Sequence, residues 1–379
     1  MNNSSDTGFI KLDRVKRLIV DGRIGGSGNN LTLRKSNSGF DYSSAFQFLN
    51  YNLTDTVGCR DILIRNCNFT DEDNSKKFNS AISFSIGKHT NIRISNNDFK
   101  NCKNAIYDNY FSGNNDSLVI SGNSFGSRTT DDYNTNDVKI KDSRNAVISG
   151  NTFKSCIQNG IYLEYTSSRT KIFNNIFGTK YDYTGATNLI NIQSSTDSVE
   201  IYNNVLTGMK KSISSSGDIT GIQLTGGQGH KISFNSISLE GDFKKYYFVF
   251  GINCSTGISN IELKNNNFSV VQSTGEQAIM YCIYSPVNNP FTVSNHNNFY
   301  LSGTGVYLGY VNSILYNILS DWQSATSQDL NSIALNPLNF HHTNLRIING
   351  SPLLNAGISI SGIITDIAGN TRNVTPTIG

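Results

Sequence analysis

One short pattern returns along this chain about every 29 residues: apolar, any, apolar, any, any, Asn, any, apolar. It reads ILIRNCNF closing at Phe69, IRISNNDF at Phe99, LVISGNSF at Phe125, AVISGNTF at Phe153 and TKIFNNIF at Phe177. It goes on as VEIYNNVL at Leu206, HKISFNSI at Ile237, IELKNNNF at Phe268 and TVSNHNNF at Phe299. The Asn two places before the close stands at 97, 123, 151, 175, 204, 235, 266 and 297, and only Cys67 departs from it. Asn tolerates a left-handed backbone at a tight turn and bonds its own neighbours there. One such residue per coil predicts a stacked ladder of side-chain amides, with the closing Phe, Leu or Ile stacked beneath as interior.

The residues before each Asn alternate with period two, as in Ile92 with Ile94 and Leu118 with Ile120, which is a strand signal. A second strand precedes each close: AISFS from 81, AIYDN from 105, VKIK from 138, GIYLE from 160, LINIQ from 189, GIQLT from 221, GINCS from 251 and GVYLG from 305. AIMYCIY at 278–284 supplies the remaining copy less cleanly. Coils of short strands separated by Asn, Gly and Ser turns exclude a propeller, whose blades need about 40 residues, and a leucine-rich repeat. The expectation is an all-β fold, a single right-handed parallel β-helix of about ten coils over 1–316, with a short capping helix and tail over 317–379.

Coil length varies, so surplus residues must leave as loops at 71–77, 128–136, 178–186 and 241–248. SDWQSATSQ (320–328) reads as the capping helix, with Ser320 as N-cap and Gln323 closing a capping box. The tail from 341 is expected to cover the last coil, because bare sheet edges invite aggregation. A net charge of +3 gives no electrostatic case for nucleic acid or a membrane surface. No apolar run is long enough to span a membrane. The polar start MNNSSDTG has no charged-then-apolar leader, so the chain is either leaderless or begins after one. The six cysteines show no zinc spacing and are expected to be buried free thiols.

IKLDRVKRLIVDGRIGGSGNNLTLRKS near the start, and DWQSATSQDLNSIALNP, SPLLNAG and DIAGNTRNVTPTIG near the end, resemble β-helix regions of secreted and cell-surface proteins of Bacteroidetes, within the pectate-lyase-like superfamily. The likeness spans nearly the whole chain and is specific at its two ends. It implies export and an extracellular or cell-surface location. That family's pattern usually runs on beyond a close like Pro376–Gly379 to a sorting domain, and none is present here.

Aligning the second strands separates inward from outward positions. The inward set is apolar except for Asp108, for which an outward turn at a bulge or strand end is the expectation, since a buried lone carboxylate is costly. One outward row runs Ser83, Tyr107, Lys139, Tyr162, Asn191, Gln223, Asn253 and Tyr307; the other runs Ser85, Asn109, Lys141, Glu164, Gln193, Thr225 and Ser255. Aromatic faces with amides and hydroxyls suit sugars, so Tyr107, Asn109, Tyr162, Asn191, Gln193, Gln223 and Tyr307 are candidates for binding a polysaccharide. A solvated face whose side chains ladder with one another is the plainer alternative.

An enzymatic reading places Lys139, Lys141 and Glu164 as catalytic candidates beside Tyr107 and Tyr162. In a polysaccharide lyase acting on a uronate, Lys139 or Tyr162 would be the base, Lys141 the electrostatic partner and Glu164 the group that orients a lysine or holds a cation. A hydrolase needs two carboxylates, and only Glu164, with Asp108 or Asp142, offers itself. An ordinary ion pair between Lys141 and Glu164 competes with both. Asp71, Glu72 and Asp73 are a weak calcium candidate, the histidines (His341 and His342 among them) show no metal or triad arrangement, and no other cofactor is expected. The favoured function is therefore a secreted or surface β-helix that binds glycan or adheres without catalysis; the alternative is a lyase, and less readily a glycoside hydrolase. Oligomeric state is left open.

Overall fold

A computed structural model describes residues 7–35, 43–50, 57–71, 78–85, 87–108, 115–126, 134–165, 169–178, 186–195, 198–207, 217–241, 247–272, 278–286, 289–338 and 345–379. The chain divides into two compact units, Met1–Lys171 and Ile172–Gly379.

Each unit is a right-handed parallel β-helix whose coil has a lead strand, a middle strand and a short closing strand, with a further two-residue strand such as Asn115–Asp116 or Ser143–Arg144 before the middle one in some coils. In the first unit one coil runs Asn104–Asp108, Val119–Ser121 and Ser124–Phe125, and the next runs Asn134–Lys141, Val147–Ser149 and Thr152–Phe153. Each strand pairs in parallel with its counterpart one coil away. The second unit repeats this from Thr187–Gln193, Val199–Tyr202 and Val205–Thr207 to Ile279–Ser285, Phe291–Asn295 and Asn298–Ser302. Its last lead strand, Val306–Val311, turns back on Ile314–Tyr316 in the one antiparallel pairing among the named strands.

The repeated Asn sits at the corner between middle and closing strands, where the predicted ladder forms. In the first unit Asn123 Oδ1 accepts from both the backbone N–H (2.9 Å) and Nδ2 (3.1 Å) of Asn97. Asn151 Oδ1 does the same for Asn123, and Cys67 donates its backbone N–H to Asn97 Oδ1. The ladder nitrogens also cap strand carbonyls, Asn97 that of Ile64 and Asn123 that of Ile94. In the second unit the chain of amides runs Asn175, Asn204, Asn235, Asn266 and Asn297. Every ladder amide thus answers donors that burial would otherwise orphan.

The left-handed turn is not at the ladder residue, as its Asn had suggested, but one place earlier: Asn66, Asn96, Asn174, Asn203, Phe234, Asn265 and His296 have φ of 54–59°, and Gly122 and Gly150 take the same role. The bend needs one left-handed residue, and the ladder needs the following amide to face inward. Two adjacent positions therefore share the work. Below the ladder, Phe69, Phe99, Phe125 and Phe153 stack with centroids 4.8–5.1 Å apart. The five described free cysteines are all buried.

Asp108 is a correction. It is 2% exposed and stays inward, because Asn115 Nδ2 donates to its carboxylate at 2.6 Å. Asn115 Oδ1 in turn accepts from His89 N, and His89 Nδ1 accepts from Cys59 N, so the carboxylate ends a buried polar chain. His230 Nδ1 accepts from Val199 N in a similar way in the second unit. Burial pushes both imidazoles down to about 4, since neither can hold a charge there.

The second unit ends in a cap. The one helix among the described residues runs Leu319–Thr326, and its N-cap is Ile318 without a side-chain bond. The expected Ser320 cap is therefore wrong: Ser320 lies inside the first turn, and Gln323 bonds the Asp329 carbonyl instead of closing a box. What fixes the helix is Trp322, wholly buried. The interior row Ile252, Ile283 and Gly309 closes on a glycine, and a Cβ at 309 would collide with the Trp322 indole. Trp322 Nε1 and Ser294 Oγ donate to one Asp329 oxygen, while Asn297 Nδ2 and Ser332 Oγ donate to the other. The ladder thus terminates on a buried carboxylate with four donors, the condition under which a buried charge is tolerable.

Candidate functional site

The outward face of the lead strands carries the candidate residues, and each unit contributes its own set. In the first unit the register places Tyr107 beside Lys139 and Lys139 beside Tyr162, with Lys141 beside Glu164. Inward neighbours Ile106, Val138, Ile140, Ile161 and Leu163 are fully buried, and strand alternation then holds the polar residues on the other face.

Lys139 Nζ lies between two rings, 5.3 Å from the Tyr107 centroid and 5.2 Å from that of Tyr162. Both contacts are of cation–π kind. Lys139 makes no ion pair among the described residues. Burial lowers its pKa, the Glu164 charge opposes that, and Lys141 adds to it. Lys141 is almost completely covered; its Nζ lies 3.4 Å from Glu164 Oε2 and over the Tyr165 ring at 5.5 Å. The cross-strand ion pair is formed. Burial first, then the charge of Glu164 and the hydrogen bond to it, pushes the Tyr162 phenol up to about 12. A phenol so placed keeps its proton, so of the two candidate bases Lys139 has the better environment. Asn109, Glu72, Asp73, His341 and His342 lie outside the described residues, as do most of the 128–136 and 178–186 loops; of Asp71 only the backbone is described.

In the second unit Asn191 is beside Gln223, and Gln193 is beside Thr225. Gln223 Nε2 donates to Thr225 Oγ1 at 3.2 Å. Tyr307 does not continue this row. Gln223 is followed by Asn253, Tyr284 and Tyr310, while Tyr307 pairs with Tyr281 and, one coil earlier, Phe250. The reason is a break in the alternation: four successive residues are buried at Val249–Ile252 and again at Met280–Ile283, and Phe250 and Asn253, like Tyr281 and Tyr284, stand three apart instead of two. Strict alternation hid two aromatic columns: Phe250 and Tyr281, both buried, stack with Tyr307 at 5.7–5.8 Å, and the part-exposed Tyr284 stacks on Tyr310 at 5.1 Å. The signal was in the sequence, in the three-residue spacing of Tyr281 and Tyr284 within the copy that fitted least well.

Among the described residues no group of His, Cys, Asp and Glu is placed to hold a metal ion, and no helix is long and apolar enough to cross a membrane. Residues 40–206 match the family described as right handed beta helix region, somewhat under half of the chain. No curated protein matches it. The match and the parallel strand order together establish a right-handed β-helix repeat.

Proposed function

We propose that this chain is a glycan-binding β-helix protein of the cell exterior, and that the outward face of its first unit takes an acidic polysaccharide. One observation carries the reading: Lys139 is a partly buried cation flanked by two tyrosine rings, and Glu164, the carboxylate whose charge acts on it, is engaged by Lys141 and Tyr162. A surface cation without an ion pair among the described residues is an anion-binding point. Uronate carboxylates, spaced along a polymer, supply such anions, while the tyrosine hydroxyls and edges offer contacts to sugar hydroxyls. The rings' faces are turned towards Lys139, so the cation, not ring stacking, would dominate affinity. The test is retention of the protein on immobilised polygalacturonate and alginate against neutral dextran. Retention on the acidic polymers, weakened by salt and lost in Lys139→Ala, is the expected result; equal retention on dextran would overturn it.

A lyase is the second reading, favoured by the direction of the Lys139 shift. A lysine amine whose pKa is lowered by burial is the better placed to give up its own proton and then remove the C5 proton of a uronate. The C5–H electrons form the C4=C5 double bond, the C4–O bond breaks, and the leaving oxygen takes a proton that a phenol such as Tyr162 can give. Lys141, paired with Glu164, would stabilise the carboxylate-borne negative charge. Ultraviolet absorbance of unsaturated ends in the same incubations separates the two: new ends that vanish in Lys139→Ala establish the lyase, and retention without them supports binding alone.

A further inference from the structure

In the second unit, the tail and the corner of the coils line a half-open pocket of about 670 Å³. That is the size of a small-molecule site. Arg372 lines it, with its guanidinium 3.7 Å from the Phe234 ring centroid. Nη2 donates to Asn203 Oδ1 at 2.8 Å, while Nε and Nη1 reach the Thr365 and Thr377 carbonyls at 3.3 and 3.4 Å. All three acceptors are neutral, and Arg372 has no ion pair among the described residues. Asp366 lines the same cavity but is spent on its own turn: Oδ1 accepts from the Ala368 and Asn370 N–H groups, and Oδ2 from Asn370 Nδ2. A guanidinium has five donors, so two remain for a ligand. Burial outweighs the distant Asp366 charge and lowers the Arg372 pKa to about 10. A desolvated cation held by neutral oxygens at the edge of an open space is costly until an anion joins it.

We infer that this cavity binds a small carboxylic acid with a ring body, a single sugar acid, through a fork contact from Arg372. A planar carboxylate matches two remaining guanidinium donors. The remaining wall is mixed, with Ile176 and Leu354 beside Thr371 and Asn373, as an amphipathic sugar ring requires. This site is separate from the outward face that carries Lys139 and does not depend on it.

The experiment is calorimetric titration of the full chain with glucuronate, its methyl ester and glucose. Saturable binding of the free acid, weaker by about tenfold or more for the ester and absent for glucose, is the expected result. Arg372→Lys, which keeps the charge and loses the fork, should weaken the acid by about tenfold. Equal heats for acid and ester overturn the inference, and this arm needs no variant, so it decides even if Arg372 variants fail to fold. Binding that survives Arg372→Lys undiminished but disappears in Lys139→Ala assigns the acid to the outward face and also overturns it.

Discussion

The corner of each coil and the outward face of its lead strand sit on the same coils but obey different rules. At the corner, Asn97 meets Asn123 and Asn123 meets Asn151, so each residue's environment is its own kind one coil on. On the outward face, Tyr107 meets Lys139 and Lys139 meets Tyr162. A buried amide has few permitted partners, and another amide in register is one that propagates indefinitely; nearest-neighbour repetition then imposes identity. A surface position pairs with whatever is complementary or with water, so identity is free to drift and to acquire function.

Substitutions on the two sides should therefore differ in cost. Phe125→Ala removes the middle of a buried stack between Phe99 and Phe153 and is expected to cost about 3–5 kcal/mol, read from the denaturant midpoint. Asn235→Ala leaves the Asn204 N–H groups without their acceptor and the Ile201 carbonyl without its donor, for about 3 kcal/mol by the same measurement. If either costs no more than an outward substitution, the contrast fails. Acid sharpens it next. His89 and His230 stay neutral in the fold down to about 4, whereas in the unfolded chain they take a proton near 6.5. Their contribution is complete above 6.5 and is lost as pH falls from there to about 4, at about 1.4 kcal/mol per pH unit for each histidine. His230→Gln should remove half of that slope; an unchanged slope would place the proton uptake elsewhere. Smallest is Lys139→Met, expected to change stability by about 1 kcal/mol or less while abolishing retention on acidic polymer.

How much of this could be read in the sequence follows the same division. The ladder, the phenylalanine stack and the parallel coils were legible because repetition displays a constraint nine times over. The exact placement of the left-handed residue was not, since Asn96 and Asn97, or Asn203 and Asn204, are the same residue type in two different roles. The cluster of Lys139, Tyr162, Lys141 and Glu164 was found by registering strands, which needs only the period. The places of Tyr307, Tyr281, Tyr284 and Tyr310 are not legible in this way, because a run of four buried residues, Met280–Ile283, breaks the strand alternation. Asp108 kept its inward place because its partner, Asn115, comes seven residues later, beyond the reach of a strand pattern. Arg372 and Asn203 meet across 169 residues, a distance no local pattern spans.

The cap also limits how such a chain can change length over generations. Coils that end in an interior side chain can be duplicated or deleted, because the new neighbour meets a surface like the old one. After Gly309 that is not so: the space a following layer would fill is already taken by Trp322, and Asn297 has found a carboxylate where a further amide would stand. Gain or loss of repeats is therefore confined to positions before the last lead strand, while the terminal segment is inherited as a fixed piece.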